Sequence, residues 1–325
     1  MIVSRTPLRI SFVGGGSDLP SYYRNNIGSV ISMAIDRYVY VSVNKSFSDS
    51  VRVAYSRVEE CAKFTDVQHP LVRNAAKLLG LKSSLEITST ADIPSQGSGL
   101  GSSSSYTVGL LNALSTNQGV IRRKEELAEL ACTIELEMCG EPIGKQDQFA
   151  AALGGLNVFK FLSDNSVEQI EVNLPTFKET QFLNSMLIFY TGKTRRASNV
   201  LKEQNLNTLS GKIDTNLSEM VKLVDSFSRA LENGDTQACG EILGYNWELK
   251  KSLSQKITNQ YIDEIYDEAM VAGAWGGKLL GAGAGGFLLF LAPPSKHLAI
   301  VERLHKLKQQ FWKIDHSGSA IIYQM

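Results

Sequence analysis

Cysteine and histidine are scarce in this sequence, and neither is spaced for metal binding. The 325 residues include four cysteines, none of them in a CxxC pair, and four histidines, none of them in an HExxH pattern. This excludes a recognisable zinc motif and a disulfide-stapled domain. We predict small buried cysteines in a reducing cytoplasm, histidines with ordinary structural roles, and no transition-metal centre.

Long apolar runs and surplus charge are also lacking. The longest apolar run, Phe287 to Ala292, is far shorter than the roughly 18 residues needed to span a bilayer. Near the start, Arg5 and Arg9 interrupt the apolar run, which is not the pattern of a signal peptide. Basic and acidic residues number 33 each, so no nucleic-acid or membrane-surface partner is expected. Any anionic ligand must therefore be bound by a local group of donors or positive charges, because the protein as a whole has no surplus positive charge.

The chain is long enough for two ordinary domains, with 43% apolar residues to build their cores. Alternation predicts strands early in the chain, and helical periodicity follows. The predicted strands are Leu8 to Val13, Tyr38 to Asn44, Val51 to Tyr55, Leu85 to Thr90, Ser185 to Tyr190 and Phe287 to Leu291. The predicted helices are 106–114, 124–139, 196–233 and 236–252. Strands followed by helices favour the α+β class, with a boundary near Ser163 to Pro175.

A glycine- and serine-rich loop, Pro94 to Ser105, lies between a predicted strand and a predicted helix. Glycines allow close backbone approach to a ligand, and free N–H groups at a helix start attract anions. We therefore predict a phosphate-binding loop, whose hydroxyls can also reach a magnesium ion. The alternative is a flexible connector, although a connector has no need to open directly into an apolar helix.

Two other glycine patterns are weaker. Gly192-Lys193-Thr194 is not a Walker A loop, because Leu187 stands where the first glycine belongs. Gly281, Gly283 and Gly286 match GxGxxG, but a helix-like stretch precedes them and a strand follows, the reverse of a dinucleotide fingerprint. A Rossmann dehydrogenase is therefore disfavoured. These glycines serve either close packing or close ligand approach.

In the opening segment, Thr6 to Asp18, Arg9 lies on a predicted strand and Asp18 follows a glycine turn. On the residues alone, Arg9 is either an interface ion pair or a ligand contact, and Asp18 either a helix cap or a ligand contact.

Together, these three segments resemble the three motifs of the GHMP kinases (galactokinase, homoserine, mevalonate and phosphomevalonate kinases). The blocks Thr6–Asp18, Gly140–Gln148 and Tyr190–Ala197 are most similar to the D-glycero-α-D-manno-heptose 7-phosphate kinases. Galactokinases carry Glu-His where this chain has Gly15-Gly16, which makes galactose a poor acceptor candidate. The resemblance implies an α+β fold with an N-terminal ribosomal-protein-S5-like domain, residues 1–170. It also implies a ferredoxin-like C-terminal domain, residues 171–325, and an active site in the cleft between the two.

The resemblance further implies ATP and Mg²⁺ as cofactors, with Ser103 and a helical glutamate on the metal. Periodicity identifies this glutamate, because Glu135 shares its helix side with small apolar residues while Glu137 faces the solvated side. The implied ATP-binding residues are Pro94, Gly97, Ser98, Gly99, Leu100, Gly101, Ser102, Ser103 and Ser104.

Asp147 follows Pro142 and Gly144 and precedes a short apolar run, so the residues alone favour a helix cap. The resemblance implies instead that Asp147 takes the proton of the acceptor hydroxyl, or only orients it, with Arg9 beside it. Arg195 is the first candidate for holding a sugar phosphate, although the cluster Lys193, Arg195 and Arg196 is equally typical of a solvated face. The implied acceptor-binding residues are Gly15, Gly16, Ser17, Asp18, Lys145, Thr191, Gly192, Arg195 and Gly283. We expect the final loop, 281–286, to pack against the first motif.

The resemblance thus implies transfer of the γ-phosphoryl group of ATP to the anomeric hydroxyl of D-glycero-D-manno-heptose 7-phosphate. The 1,7-bisphosphate formed would serve nucleotide-activated heptose and surface polysaccharide synthesis. A kinase for an unphosphorylated sugar such as fucose and a silent sugar sensor are the alternatives, and the choice between monomer and homodimer stays open.

Overall fold

The computed structural model describes residues 1–82, 84–93, 97–193, 198–283 and 285–325, with the backbone alone at 198 and 199. Pro94 and Arg195, both predicted to bind ligand, lie outside the described residues. Strands and helices are mixed as the α+β class requires, and the described part contains no helix long and apolar enough to cross a membrane.

The first sheet has eight strands around β1 and β2. Its path runs β12-β1-β2-β5-β3-β4, while β6 pairs with the first part of β2 and β7 pairs with β6. All its pairings are antiparallel except β3 with β5. The strands are β1 Ile2–Val13, β2 Gly28–Lys45, β3 Val51–Ala54, β4 Val58–Cys61, β5 Leu85–Ala91, β6 Leu156–Phe161, β7 Val167–Glu171 and β12 Ala320–Gln324.

A second, four-stranded antiparallel sheet is ordered β11-β8-β10-β9. Its strands are β8 Met186–Tyr190, β9 Gly276–Leu279, β10 Phe287–Leu291 and β11 Lys308–Gln310. The strand β10 is buried along its whole length, as its uninterrupted apolar sequence predicts. The final strand of the chain, β12, returns to the first sheet, so that sheet contains residues from both ends. The division at 170/171 stays a prediction.

Five helices precede residue 170 and six follow it within the described part of the chain. They are α1 Pro20–Tyr23, α2 Pro70–Leu78, α3 Ser102–Asn117, α4 Lys124–Cys132, α5 Gln146–Leu153, α6 Thr176–Ser185, α7 Ser198–Leu209, α8 Asp214–Asn233, α9 Thr236–Ser252, α10 Gln260–Val271 and α11 His297–Arg303. Asp235 and Asn259 cap α9 and α10 by accepting from the backbone N–H groups of Ala238 and Ile262.

The structure changes three sequence-based boundaries. The segment before Gly281 is strand β9, so the predicted helix-like stretch was wrong, and the loop joins two strands. The predicted helix 196–233 is interrupted between Leu209 and Asp214. The predicted helix 124–139 is α-helical only to Cys132 and continues as a π-helical turn, Thr133–Met138.

The first sheet with helices α1 to α5 is called the first layer, and the second sheet with helices α6 to α11 is called the second layer. The two layers share one apolar interface. Phe12 of β1 stacks on Phe227 of α8 with 5.4 Å between ring centroids, and Phe182 of α6 meets Phe12 edge-on at 5.5 Å. All three side chains are buried. Helix α8 thus packs directly against β1 and β2, and the ends of β1, α3 and β9 meet beside this interface.

Candidate active site

The end of the first motif, Thr6 to Asp18, forms a tight turn after β1. Gly14 has φ +86°, and a Cβ there would lie 2.0 Å from the carbonyl oxygen of Ser29. The hydroxyl of Ser17 is 2.8 Å from the carbonyl oxygen of Gly14 and 2.9 Å from that of Ser29, and it accepts from the Ser29 N–H. Ser17, predicted to bind the acceptor, therefore locks the turn with its hydroxyl.

The turn presents a buried carboxylate. Asp18 Oδ1 accepts from the Gly16 N–H at 2.9 Å, and Oδ2 lies 3.4 Å from the Gln146 N–H donor. Burial raises the pKa of Asp18, and the negative charge of Asp147 raises it further. A side chain at Gly144 would collide with this carboxylate. The turn at 144–146 and the first motif therefore fit together around Asp18.

Arg9 and Asp147 form a bidentate pair. Arg9 Nε donates to Asp147 Oδ1 at 2.7 Å, and Nη2 donates to Oδ2 at 2.7 Å. The third donor, Nη1, reaches the carbonyl oxygen of Gly99 at 2.7 Å. Asp147 lies in the first turn of α5, but Lys145 is the N-cap residue of that helix. The helix-cap interpretation of Asp147 was therefore wrong, and its carboxylate faces Arg9.

The middle loop, the glycine- and serine-rich segment 94–105, places the start of α3 beside this pair. Gly97, Gly99 and Gly101 all have positive φ, which favours glycine. Gly101 is the N-cap of the 16-residue helix α3, and a Cβ on it would lie 3.2 Å from Asp147 Oδ2. The Arg9–Asp147 pair thus lies beside the start of α3, where the first N–H groups of a helix favour an anion.

The remaining loop residues hold this arrangement in place. Ser98 and Ser102 hydroxyls lie 3.1 Å apart, while the Leu100 side chain is buried. The backbone carbonyl of Leu100 accepts from the Arg9 N–H at 3.0 Å. Leu100 therefore belongs to the core and ties the loop to β1.

Glu135 lies beneath the start of α3, fully buried. Its Oε1 accepts from the Ser103 hydroxyl at 2.9 Å, and its Oε2 accepts from Ser104 at 2.8 Å and Gln148 Nε2 at 2.6 Å. Burial raises the pKa of Glu135 to about 7, against the opposing effect of these donors. The predicted burial of Glu135 and exposure of Glu137 are confirmed, whereas Gln148 was not anticipated.

No group of three or more acidic, histidine or cysteine side chains in the described residues could hold a metal by itself. Magnesium commonly takes one or two carboxylates and completes its shell with water and substrate phosphate oxygens. The exposed Ser103 hydroxyl beside the Glu135 carboxylate fits that donor set.

The nearest neighbours of Gly281 and Gly286 in the final glycine loop belong to the middle loop, and packing of the final loop against the first motif stays a prediction. A Cβ on Gly281 would lie 2.4 Å from the Gly99 Cα, and one on Gly286 would lie 2.4 Å from the Ser98 carbonyl oxygen. Gly283 lies against the backbone of Ile257, apart from the group around Asp18. The first motif is contacted by Lys278 of β9, whose Nζ donates to the carbonyl oxygens of Ser11 and Phe12 at 2.8 Å each.

The residues after β8 lie beside this final loop. The hydroxyl of Thr191 is 3.0 Å from the Gly286 carbonyl oxygen, so Thr191 braces the loop. Gly192 is exposed, and apart from its chain neighbours no atom of the described residues lies within 4 Å of its Cβ position. Lys193 Nζ lies 4.2 Å from the Tyr261 ring centroid.

Lys145 lines a cavity of about 750 Å³. Its Nζ donates to the Asn165 carbonyl oxygen at 2.6 Å and lies over the Tyr23 ring. Arg24 and three glutamates, Glu129, Glu137 and Glu141, line the same cavity. Acidic side chains therefore outnumber basic ones there, which disfavours an anion.

Sequence reasoning missed two buried lysines behind the first motif. Lys278 and Lys250 of α9 are 3% and 5% exposed. Burial lowers the pKa of Lys278 well below its usual range and that of Lys250 to about 8. Lys250 has a sequence signal, since Cys239, Leu243 and Asn246 precede it at helical spacing on the buried side of α9.

Comparison with known proteins gives a consistent result. The GHMP kinases N-terminal domain model matches residues 69–155, and the GHMP kinases C-terminal model matches residues 227–308, together about half of the chain. The D-glycero-alpha-D-manno-heptose 7-phosphate kinase of Campylobacter jejuni is 28% identical over 321 residues, with 94% of this chain and 93% of that protein covered. The L-fucokinase/L-fucose-1-P guanylyltransferase of Bacteroides fragilis is 26% identical, and 34% of its length is covered.

Solved structures agree. The crystal structure of a D-glycero-D-manno-heptose 1-phosphate kinase from Bacteroides thetaiotaomicron superposes with a TM-score of 0.83 at 25% identity, covering 100% of both chains. Lactococcus lactis galactokinase, at 18% identity and a TM-score of 0.76, shares the fold. Two matching domain models in chain order and full-length structural agreement lead to one conclusion: this chain belongs to the GHMP kinases, a family of phosphotransferases, and has their two-domain fold.

Proposed function

We propose that this protein transfers the γ-phosphoryl group of ATP to the anomeric hydroxyl of D-glycero-D-manno-heptose 7-phosphate, giving the 1,7-bisphosphate for nucleotide-activated heptose and surface polysaccharide. The observation that carries the proposal is the bidentate Arg9–Asp147 pair between the start of α3 and the buried Asp18. The similarity to the Campylobacter jejuni enzyme supports the choice of acceptor.

In this proposal the middle loop holds the ATP phosphates. The glycines allow close backbone approach, and the N–H groups at the start of α3 supply partial positive charge. Ser103 and Glu135 would hold Mg²⁺, which neutralises charge on the phosphate oxygens when bound. Among the other residues predicted for ATP, Ser98, Ser102 and Ser104 shape the loop through their hydroxyls.

Asp147 receives the proton of the acceptor hydroxyl as the hydroxyl oxygen bonds to the γ-phosphorus and the bond to ADP breaks. Arg9 orients the carboxylate, because the bidentate guanidinium pair fixes both of its oxygens. Phosphoryl transfer depends mainly on positioning and charge neutralisation, so one oriented carboxylate suffices.

Asp18 accepts hydrogen bonds from the sugar, and Arg195 holds its 7-phosphate. Lys145 is the weaker candidate for that phosphate, because its ammonium group already donates to Asn165 in a cavity with three glutamates. The second candidate function, a kinase for an unphosphorylated sugar, is favoured by the similarity to the L-fucokinase/L-fucose-1-P guanylyltransferase of Bacteroides fragilis, of whose length 34% is covered. A silent sensor is disfavoured, since Arg9, Asp147, Ser103 and Glu135 are assembled together.

The test is ADP release with Mg-ATP and a panel of heptose 7-phosphate, free heptose, fucose, galactose and mevalonate. We expect turnover with heptose 7-phosphate alone. Turnover only with a neutral sugar would overturn the acceptor assignment and keep the kinase. No ADP release with any acceptor would favour the sensor.

A further inference from the structure

Polar atoms without partners surround the turn at Gly14–Gly16. Among the described residues, Ser11 Oγ, Gln146 Oε1, Gln204 Nε2 and Asn246 Nδ2 are buried and have no hydrogen-bond partner. Unpaired buried polar atoms are uncommon because each costs desolvation energy. Four of them beside one turn indicate a polar ligand there.

Gln204 of α7 is the most informative of the four, since the residue is fully buried. Its Oε1 lies 3.5 Å from Lys250 Nζ, which also donates to the Gly15 carbonyl oxygen at 3.0 Å. An ammonium group has donors and no acceptor, so the amide oxygen must face Lys250. The Nε2 group is thereby directed away from Lys250 with both protons free.

The free amide group lies at Gly16. A Cβ on Gly16 would stand 2.2 Å from Gln204 Nε2, and the Gly16 N–H donates to the Asp18 carboxylate. A donor, Gln204, and an acceptor, Asp18, thus flank the same glycine. One sugar hydroxyl can accept from an amide and donate to a carboxylate at the same time.

We propose that Gln204, oriented by Lys250, is a specificity-determining residue that binds one hydroxyl of the acceptor sugar together with Asp18. This inference rests on the proposed function and adds a recognition group from the second layer of the fold. It also explains the glycine at position 16, because a side chain there would collide with the Gln204 amide. A role in packing alone would be served better by an apolar side chain, which leaves no donor unpaired.

The experiment compares the enzyme with its Gln204→Leu and Gln204→Glu variants, using the acceptor that supports turnover and its singly deoxygenated analogues. The glutamate variant keeps the shape beside Lys250 and removes the amide donors, so it covers the case in which the leucine variant fails to fold. Gln237→Leu, an exposed glutamine on α9, is the matched control.

We expect KM for the acceptor to rise about 10- to 100-fold, the range for leaving one buried hydrogen-bonding group unpaired. KM for ATP should stay within about twofold. One deoxy analogue should bind poorly to the unaltered enzyme yet lose nothing further in the variants. That pairing of one hydroxyl with one side chain is a readout that a merely structural role would not give.

An unchanged acceptor KM in both variants, or equal losses for every analogue, would overturn the inference while the kinase assignment stood. If heptose 7-phosphate is inactive and a neutral sugar is active, the proposed acceptor is wrong, and the same comparison with that sugar decides the role of Gln204. Inactivity with every acceptor overturns both proposals.

Discussion

At the scale of single residues, Arg9 joins three segments of the site. Its guanidinium group holds both oxygens of Asp147 and the carbonyl oxygen of Gly99, while its backbone N–H holds Leu100. Five donors in a rigid plane suit this task, and a lysine could not replace them. Asp147, the middle loop and strand β1 therefore keep one relative geometry.

Replacing Asp147 by asparagine tests its proposed role directly. Asp147→Asn keeps the size of the side chain and removes the proton acceptor, so kcat should fall about 10²- to 10⁴-fold. ATP binding, measured by nucleotide titration, should change little because the loop is untouched. Near-normal turnover would remove Asp147 from the mechanism.

Arg195→Ala tests the proposed phosphate contact. Removing a bidentate phosphate contact should raise KM for the sugar phosphate at least about tenfold, with little change in KM for ATP. Lys193→Ala is the control, since that side chain lies over Tyr261. Equal KM values for heptose 7-phosphate in Arg195→Ala and the unaltered enzyme would refute the contact.

Sequence patterns predicted some of these residues and not others, for a physical reason. The motif glycines, Arg9 and Glu135 stand out because their residue type conflicts with their surroundings or follows a known spacing. Gln204 and Lys250 also occupy buried helix positions, but Lys250 donates to the backbone carbonyl oxygen of Gly15 in the first motif and to Gln204 on a different helix. Periodicity indicates burial, and it cannot indicate which distant turn a buried polar group meets.

At the scale of elements, local geometry departs from sequence periodicity where the site is built. The π-helical turn Thr133–Met138 carries Glu135 beneath α3, and such turns are frequent at functional sites. A period of 3.6 predicts the helix and its buried side, but the wider turn depends on contacts with Ser103, Ser104 and Gln148. The strand β9 was missed because its four residues, Gly276–Leu279, are too few for alternation to appear.

Helix α9 brings a titratable group, Lys250, to the turn at Gly14–Gly16, where the acceptor is proposed to bind. The charged groups facing it are Asp18 after β1, Arg9 on β1 and Lys278 on β9. Burial lowers its pKa to about 8, so the ammonium form that orients Gln204 is lost as the pH rises through about 8. KM for the acceptor should therefore increase above that pH.

Lys250→Met should give a high acceptor KM that no longer changes across this range. Lys251→Met, at the neighbouring half-buried lysine that pairs with Glu248, should keep the normal profile.

The stability of the folded protein should respond in the opposite direction, because it rises with pH while acceptor binding weakens. Between pH 8 and 10.5 the unfolded chain holds a proton on Lys250 that the folded chain has released, so unfolding becomes less favourable as pH rises. Thermal unfolding at pH 8 and 10 should show a smaller rise in Lys250→Met than in the unaltered enzyme, because Lys278, whose pKa is also lowered by burial, supplies the remainder. An equal rise in the two proteins would show that Lys250 contributes nothing to it.

At the scale of the whole molecule, the two layers meet through interlocking glycines as well as through phenylalanines. Gly281 and Gly99 approach so closely that neither has room for a Cβ, and both have positive φ. The loop proposed for ATP is therefore supported from behind by the second layer.

Gly281→Ala should lower the melting temperature and raise KM for ATP at least about tenfold, because the added methyl must displace backbone of the middle loop. Gly211→Ala is the matched control. Gly211 has a similar φ of +71° but only one atom within 4 Å of its Cβ position, so it reports backbone strain alone, about 1 kcal/mol. Equal effects of the two substitutions would show that the packing is unimportant.

The pairing of β12 with β1 has a consequence for biosynthesis. Ile2 is paired with Gln324, so one side of β1 waits for a segment that the ribosome adds much later. At about 5 to 20 residues per second, that edge stays uncovered for tens of seconds after β1 and β2 have emerged. Exposed strand edges are templates for unwanted pairing, and this interval is therefore when the nascent chain most needs a chaperone.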